Sequence, residues 1–117
     1  MVPKNRSTKH IADRDTPLIK NSWYVLDWST EIGPMLKNRM IVNQDLVYFR
    51  TKDGTVSVLQ NRCAHRCFPL HRSTLHENDT IQCGYHGLTY NTEGKCVQIP
   101  SALDLNPSFI SIHKYPV

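Results

Sequence analysis

Four residues, Cys63, His65, Cys83 and His86, stand in the pattern Cys-x-His, seventeen residues, Cys-x-x-His. Two thiolates and two imidazoles from two short segments form a metal-ligand set. One zinc ion would accept it, but zinc hairpins usually space their paired ligands so that a turn can wrap the ion. Here only Ala64 separates the first pair. A single spacer, with one Cys and one His repeated in the second segment, suits a binuclear iron centre to which each loop gives one ligand per iron. A zinc-stapled β domain is the plainer reading of the same four side chains.

Short apolar or β-branched runs broken by turn signals surround these residues, which predicts an all-β, antiparallel fold. Strands are expected at 23–27, 40–42, 46–50, 56–60, 80–83, 88–91 and 96–99. Asp53-Gly54 and Glu93-Gly94 are the expected hairpin turns. A short helical turn is expected at 29–32, capped by Ser29 or Thr30. On this reading both ligand loops emerge from hairpin ends, so a rigid sheet holds two turns at fixed separation. Residues 109–115 read as a further strand, after which Pro116 and Val117 close the chain without a return strand.

The 117 residues give room for one modest core, and 39% hydrophobic residues is ordinary for a globular domain. No stretch is long enough to span a membrane, and the first ten residues lack the apolar run of a signal peptide, which places the protein in the cytoplasm with no membrane partner. The net charge of +4 raises a nucleic-acid reading. Residues 1–20, however, hold five Lys or Arg against two Asp, leaving the remainder nearly neutral. Residues 1–17 are therefore expected to be a flexible basic arm, with 18–117 as the domain and no nucleic-acid partner. Cys67 and Cys96 are expected to be small buried thiols rather than a disulfide.

The runs Cys63-Ala64-His65-Arg66-Cys67-Phe68-Pro69-Leu70 and Cys83-Gly84-Tyr85-His86-Gly87-Leu88 resemble the Rieske domain of the oxygenase components of Rieske non-haem iron oxygenases, of the aromatic-ring hydroxylase and O-demethylase type. Asn21-Ser22-Trp23-Tyr24-Val25 looks like the first strand of such a domain, and the segment from Gly94 to Pro100 like its third, proline-bearing cluster loop. The likeness covers 18–117. Cys67 departs from it, standing where these oxygenases often carry glycine and where φ > 0 would suit glycine better. Respiratory Rieske proteins tie their two loops with a disulfide whose second-loop cysteine would fall at Gly84 or Tyr85, so the chain resembles the oxygenase kind.

That resemblance implies an antiparallel β-sandwich with a small cluster-binding subdomain and a Rieske [2Fe-2S] cluster. It implies that Cys63 and Cys83 hold one iron and that His65 and His86 hold the other, which receives the electron. Reduction raises the proton affinity of the ligand imidazoles, so the potential is expected to rise as pH falls through their titration. Backbone amides aimed at the sulfurs would stabilise the reduced form. Arg66 either adds a positive field beside the cluster or caps the surface, and Tyr85 either packs on its loop or lends a hydroxyl. The implied partners are a reductase or ferredoxin donor and a mononuclear iron domain, on a neighbouring subunit as in family trimers. That catalytic domain lies outside this sequence, so the chain is expected to be cut short, to transfer electrons and to oxygenate nothing by itself. A stand-alone Rieske ferredoxin and a zinc-bound structural module are the rival readings. His71 and His76 with Glu77 spell a two-His-one-carboxylate set only by proximity and are expected to be loop residues, and His10 and His113 carry no context.

Overall fold

The computed structural model describes residues 22–64, 67–85, 87–99 and 110–117. Its strands form two four-stranded antiparallel sheets. The first contains β1 (Lys37–Ile41), β2 (Gln44–Arg50), β3 (Val56–Gln60) and β8 (Lys114–Tyr115) in the order β1-β2-β3-β8. The second contains β4 (Thr74–Leu75), β5 (Ile81–Gln82), β6 (Thr89–Tyr90) and β7 (Cys96–Gln98) in sequence order. This second sheet is the small subdomain; the 83–88 loop lies within it, and the 63–68 loop enters it from the first sheet. All-β architecture is as expected.

β2 is buried on both faces, because Leu46, Val47, Tyr48 and Phe49 are all shielded. Alternation then divides its side chains between two cores. Val47 and Phe49 join Leu59, Leu70, Ile81, Leu88 and Tyr90 between the sheets, while Leu46 and Tyr48 pack with Ile32 and Val58 on the outer face of the first sheet. Residues 110–115 stitch the sheets together. The Cys96 amide donates to Ile110 O and the Ile112 amide to Gly94 O at the β7 side, and the Gln60 amide donates to His113 O at the β3 side. Gly94 is needed there, since a Cβ would lie 2.4 Å from Ile112 O.

Turn chemistry explains most of the connections. Thr51 to Thr55, His76 to Thr80 and Asn91 to Lys95 are closed alike: the first amide donates to the fifth carbonyl and the fourth amide to the first carbonyl. In each the fourth residue, Gly54, Asp79 or Gly94, has φ > 0. Both expected Gly turns are therefore present. The β1–β2 hairpin was not expected, because Val42 read as the end of a strand. It is instead a turn residue, and Val42 and Asn43 have φ of 52° and 63°, the paired left-handed conformation of a two-residue type I′ loop.

Residues 23–27 form no strand, contrary to expectation. Polar side chains hold this segment in place of a ladder. Asp27 accepts hydrogen bonds from Lys37 Nζ at 2.7 Å and Tyr48 OH at 2.9 Å. Arg50 donates to the carbonyls of Ile32, Ser29 and Gly54 at 2.7–2.9 Å. The expected helical turn is a 3-10 turn at Ser29–Glu31 with Trp28 at the cap position and no capping side chain. Ser29 Oγ accepts from Arg50 instead. The basic arm, His10, Asn21, and Pro100 of the third loop lie outside the described residues.

Candidate metal centre

Cys63 and Cys83 occupy matched positions in two loops, 63–68 and 83–88. The Cys63 amide donates to Phe68 O at 2.9 Å and the Cys67 amide to Cys63 O at 2.9 Å. In the second loop the Cys83 amide donates to Leu88 O at 2.7 Å and the Gly87 amide to Cys83 O at 3.0 Å. The pattern extends the three hairpin turns by one residue. Its fifth residue has φ of 58° at Cys67 and 83° at Gly87. The glycine-like geometry anticipated at position 67 is thus adopted by a cysteine, at a cost of ~1 kcal/mol for a left-handed L-residue.

The loops differ in what they join. Residues 83–88 close the β5–β6 hairpin, as expected. Residues 63–68 instead leave β3 of the first sheet and lead through a 3-10 turn at Leu70–Arg72 to β4 of the second, so only one loop sits on a hairpin. The base of the first loop is fixed by Asn61: its Oδ1 accepts from the His71 amide at 2.7 Å and its Nδ2 meets His71 Nδ1 at 2.8 Å.

Both thiols are buried, with 1% exposure at Cys63 and 3% at Cys83, and each sulfur faces a donor. The Tyr85 amide donates to Cys83 Sγ at 3.4 Å, the loop-amide contact expected from sequence. Cys63 Sγ lies 3.2 Å from Tyr90 OH, which accepts the Ala64 amide at 3.0 Å; toward a thiolate sulfur, which carries no proton, the hydroxyl is the donor. Tyr90 is fully buried. Burial first, and then the bond to Cys63, push its hydroxyl above the ordinary phenol pKa, so it stays protonated as a donor. Sequence reasoning missed Tyr90, which reads as a routine β residue seven positions after Cys83.

His65, Arg66 and His86 lie outside the described residues. Tyr85 is exposed, and its ring stacks on Phe68 with a centroid separation of 6.3 Å. All four cysteines are free thiols. Cys96 is buried, and that burial raises its pKa. Cys67 is exposed, which corrects the expectation of a buried thiol, because the left-handed backbone at the loop tip turns the side chain outward. His71 is taken by Asn61, His76 Nε2 meets Gln82 Oε1 at 2.7 Å, and Glu77 lies 3.9 Å from Lys52. These three do not converge, and among the described residues no trio of His, Cys, Asp or Glu forms an ion site. A groove of about 770 Å³ lies against the outer face of the first sheet. None of its described lining residues belongs to either loop.

Residues 22–115 match the Rieske [2Fe-2S] domain model. The chain belongs to the Rieske [2Fe-2S] domain family. Paired buried thiols, each supplied with a proton donor, fit the cluster this family carries. The Rieske chain is 42% identical over 100 residues to the iron-sulfur subunit of a toluene-4-sulfonate monooxygenase system from Comamonas testosteroni, covering 85% of itself and 28% of that subunit. It is 33% identical over 99 residues to the oxygenase component of dicamba O-demethylase from Stenotrophomonas maltophilia, covering 85% of itself and 29% of that protein. The crystal structure of apo dicamba monooxygenase superposes with a TM-score of 0.78 at 32% identity, over 85% of this chain and 30% of that one. The Rieske chain thus has the Rieske fold and spans less than a third of the length of these oxygenase relatives. Among its described residues no helix is long and apolar enough to cross a membrane.

Proposed function

We propose that this Rieske chain is the electron-transfer part of a Rieske non-haem iron oxygenase, resident in the cytoplasm. Cys63 and Cys83 hold one iron of the [2Fe-2S] cluster through thiolate sulfur, and His65 and His86 hold the other through neutral imidazole. The bound cluster supplies one-electron chemistry at the histidine side. The protein's own part is to keep water from the two sulfurs, to aim the Tyr90 hydroxyl and the Tyr85 amide at them, and to set the loops at a fixed separation. Arg66 adds positive charge beside the site. A reductase or ferredoxin is the electron source, and a mononuclear iron domain of the longer protein, on the same or a neighbouring subunit, is the acceptor. Residues 18–117 form the folded unit and 1–17 a basic arm.

The observation that supports this reading best is the pair of buried thiols at equivalent positions of two loops with the same hydrogen-bond closure. Metal analysis, optical spectroscopy and potentiometry test it together. Two irons and two acid-labile sulfides per chain, with a potential that falls in His86→Cys, are expected. One zinc per chain and no visible colour would overturn the proposal.

A further inference from the structure

Phe68 reaches across from the first loop to the second. Its backbone belongs to the first, where its carbonyl accepts the Cys63 amide. Its ring packs at the margin of the inter-sheet core and lies over Gly84, where a Cβ would come within 3.3 Å of Phe68 Cε2. The same ring is stacked on Tyr85, 8° from parallel at a centroid separation of 6.3 Å, within the range where offset aromatic pairs attract beyond their burial. One side chain therefore covers both described residues between Cys83 and His86. The Tyr85 amide in turn is the donor to Cys83 Sγ. No covalent bond joins the loops, since every cysteine is free. Further ties among the described residues of these regions include Tyr90 OH to the Ala64 amide and Cys63 Sγ, and the Gly84 amide to Ser73 Oγ at 3.1 Å.

We infer that Phe68 is a positioning residue, an aromatic strap that fixes the second loop against the first and so controls both how firmly the cluster is held and where the Tyr85 amide points. This rests on the reading of the loops as a cluster site. Tyr90 and Ser73 fix the flanks of the loops. The strap acts at their tips, where Ala64, Cys67, Gly84 and Tyr85 are exposed. Loss of the ring frees the Tyr85 segment to move away from Cys83, which lowers the barrier to ligand release and removes a donor that favours the reduced state.

The test uses the cluster-loaded chain and follows bleaching of its visible absorption by an iron chelator, together with its reduction potential. Phe68→Ala is expected to bleach about tenfold faster, the equivalent of about 1.4 kcal/mol in the barrier. Phe68→Leu, which keeps the apolar bulk without the ring, should bleach roughly threefold faster and show a potential below that of the wild type. Phe68→Tyr should restore the wild-type rate and potential. Because the two rings act as one unit, Tyr85→Ala added to Phe68→Ala should change the rate by less than about twofold. Wild-type bleaching and potential in both Phe68→Ala and Phe68→Leu would overturn the strap. Full additivity of the two alanine variants would do the same. A wild-type chain that takes up no [2Fe-2S] cluster at all would instead overturn the reading on which the strap rests.

Discussion

At Tyr90 a single hydroxyl serves two purposes that sequence could not couple. It accepts the Ala64 amide of the first loop and lies within hydrogen-bond distance of Cys63 Sγ, to which it is the donor once that sulfur is a thiolate, although residues 64 and 90 are 26 positions apart. A donor to a ligand sulfur stabilises the state carrying more negative charge, so it raises the potential. Tyr90→Phe should therefore lower the reduction potential by on the order of 50 mV, the one-electron equivalent of roughly 1 kcal/mol, as read by spectroelectrochemical titration. An unchanged potential would mean that the hydroxyl only packs. At Cys83 the Tyr85 main-chain amide meets the sulfur. Cys67 is legible in part: the resemblance marked it as standing where glycine is usual, while its left-handed backbone and its exposure came only from the folded loop.

Among the elements, the turns carry the most information. Asp53-Gly54 and Glu93-Gly94 were legible because glycine is the residue a left-handed turn position favours. The β1–β2 hairpin was hidden because its two left-handed residues are Val42 and Asn43, and a β-branched residue there signals strand in any propensity reading. Its register, Ile41 opposite Gln44, enforces the turn from the sheet side. Replacing Val42 by Asn, which adopts this conformation more readily, should stabilise the protein by ~1 kcal/mol and raise the thermal midpoint by about 4 °C. A lower midpoint would mean that the contacts of the Val42 side chain outweigh its backbone strain. The reading of 23–27 as a strand failed for a related reason. Its apolar run from Trp23 to Leu26 is real, yet the segment is pinned at Asp27 by Lys37 and by Tyr48, which is 21 residues away.

On the scale of the whole molecule, that pin ties the N-terminal part of the described chain to the outer face of the first sheet. The Asp27 carboxyl is held down from 3.8 to about 2, chiefly by the hydrogen bond from Lys37 and then by that from Tyr48. A carboxyl with a depressed pKa contributes its stability in full above the free value and loses it as pH falls through the folded one. The advantage of the wild type over Asp27→Asn should accordingly be constant down to about pH 4 and vanish toward pH 2. Trp23 and Trp28, the two tryptophans of the chain, flank Asp27, so their emission reports the transition directly. Comparing the two proteins cancels the effect of acid on the cluster. An advantage that persists unchanged at pH 2 would show that the carboxylate charge is not what holds the segment.

The sequence by itself determined the candidate ligands, the family and the all-β class, because ligand type, ligand spacing and strand alternation are local properties that survive without contacts. Only the tertiary structure decided that the first loop bridges two sheets, that Tyr90 serves Cys63, that Phe68 lies across Gly84 and Tyr85, and that 23–27 is tethered rather than paired. Each of these depends on residues brought together across 16 to 27 positions by sheet pairing and core packing. No periodicity or short motif records such a meeting, since the free energy that fixes it comes from burial shared by the whole core.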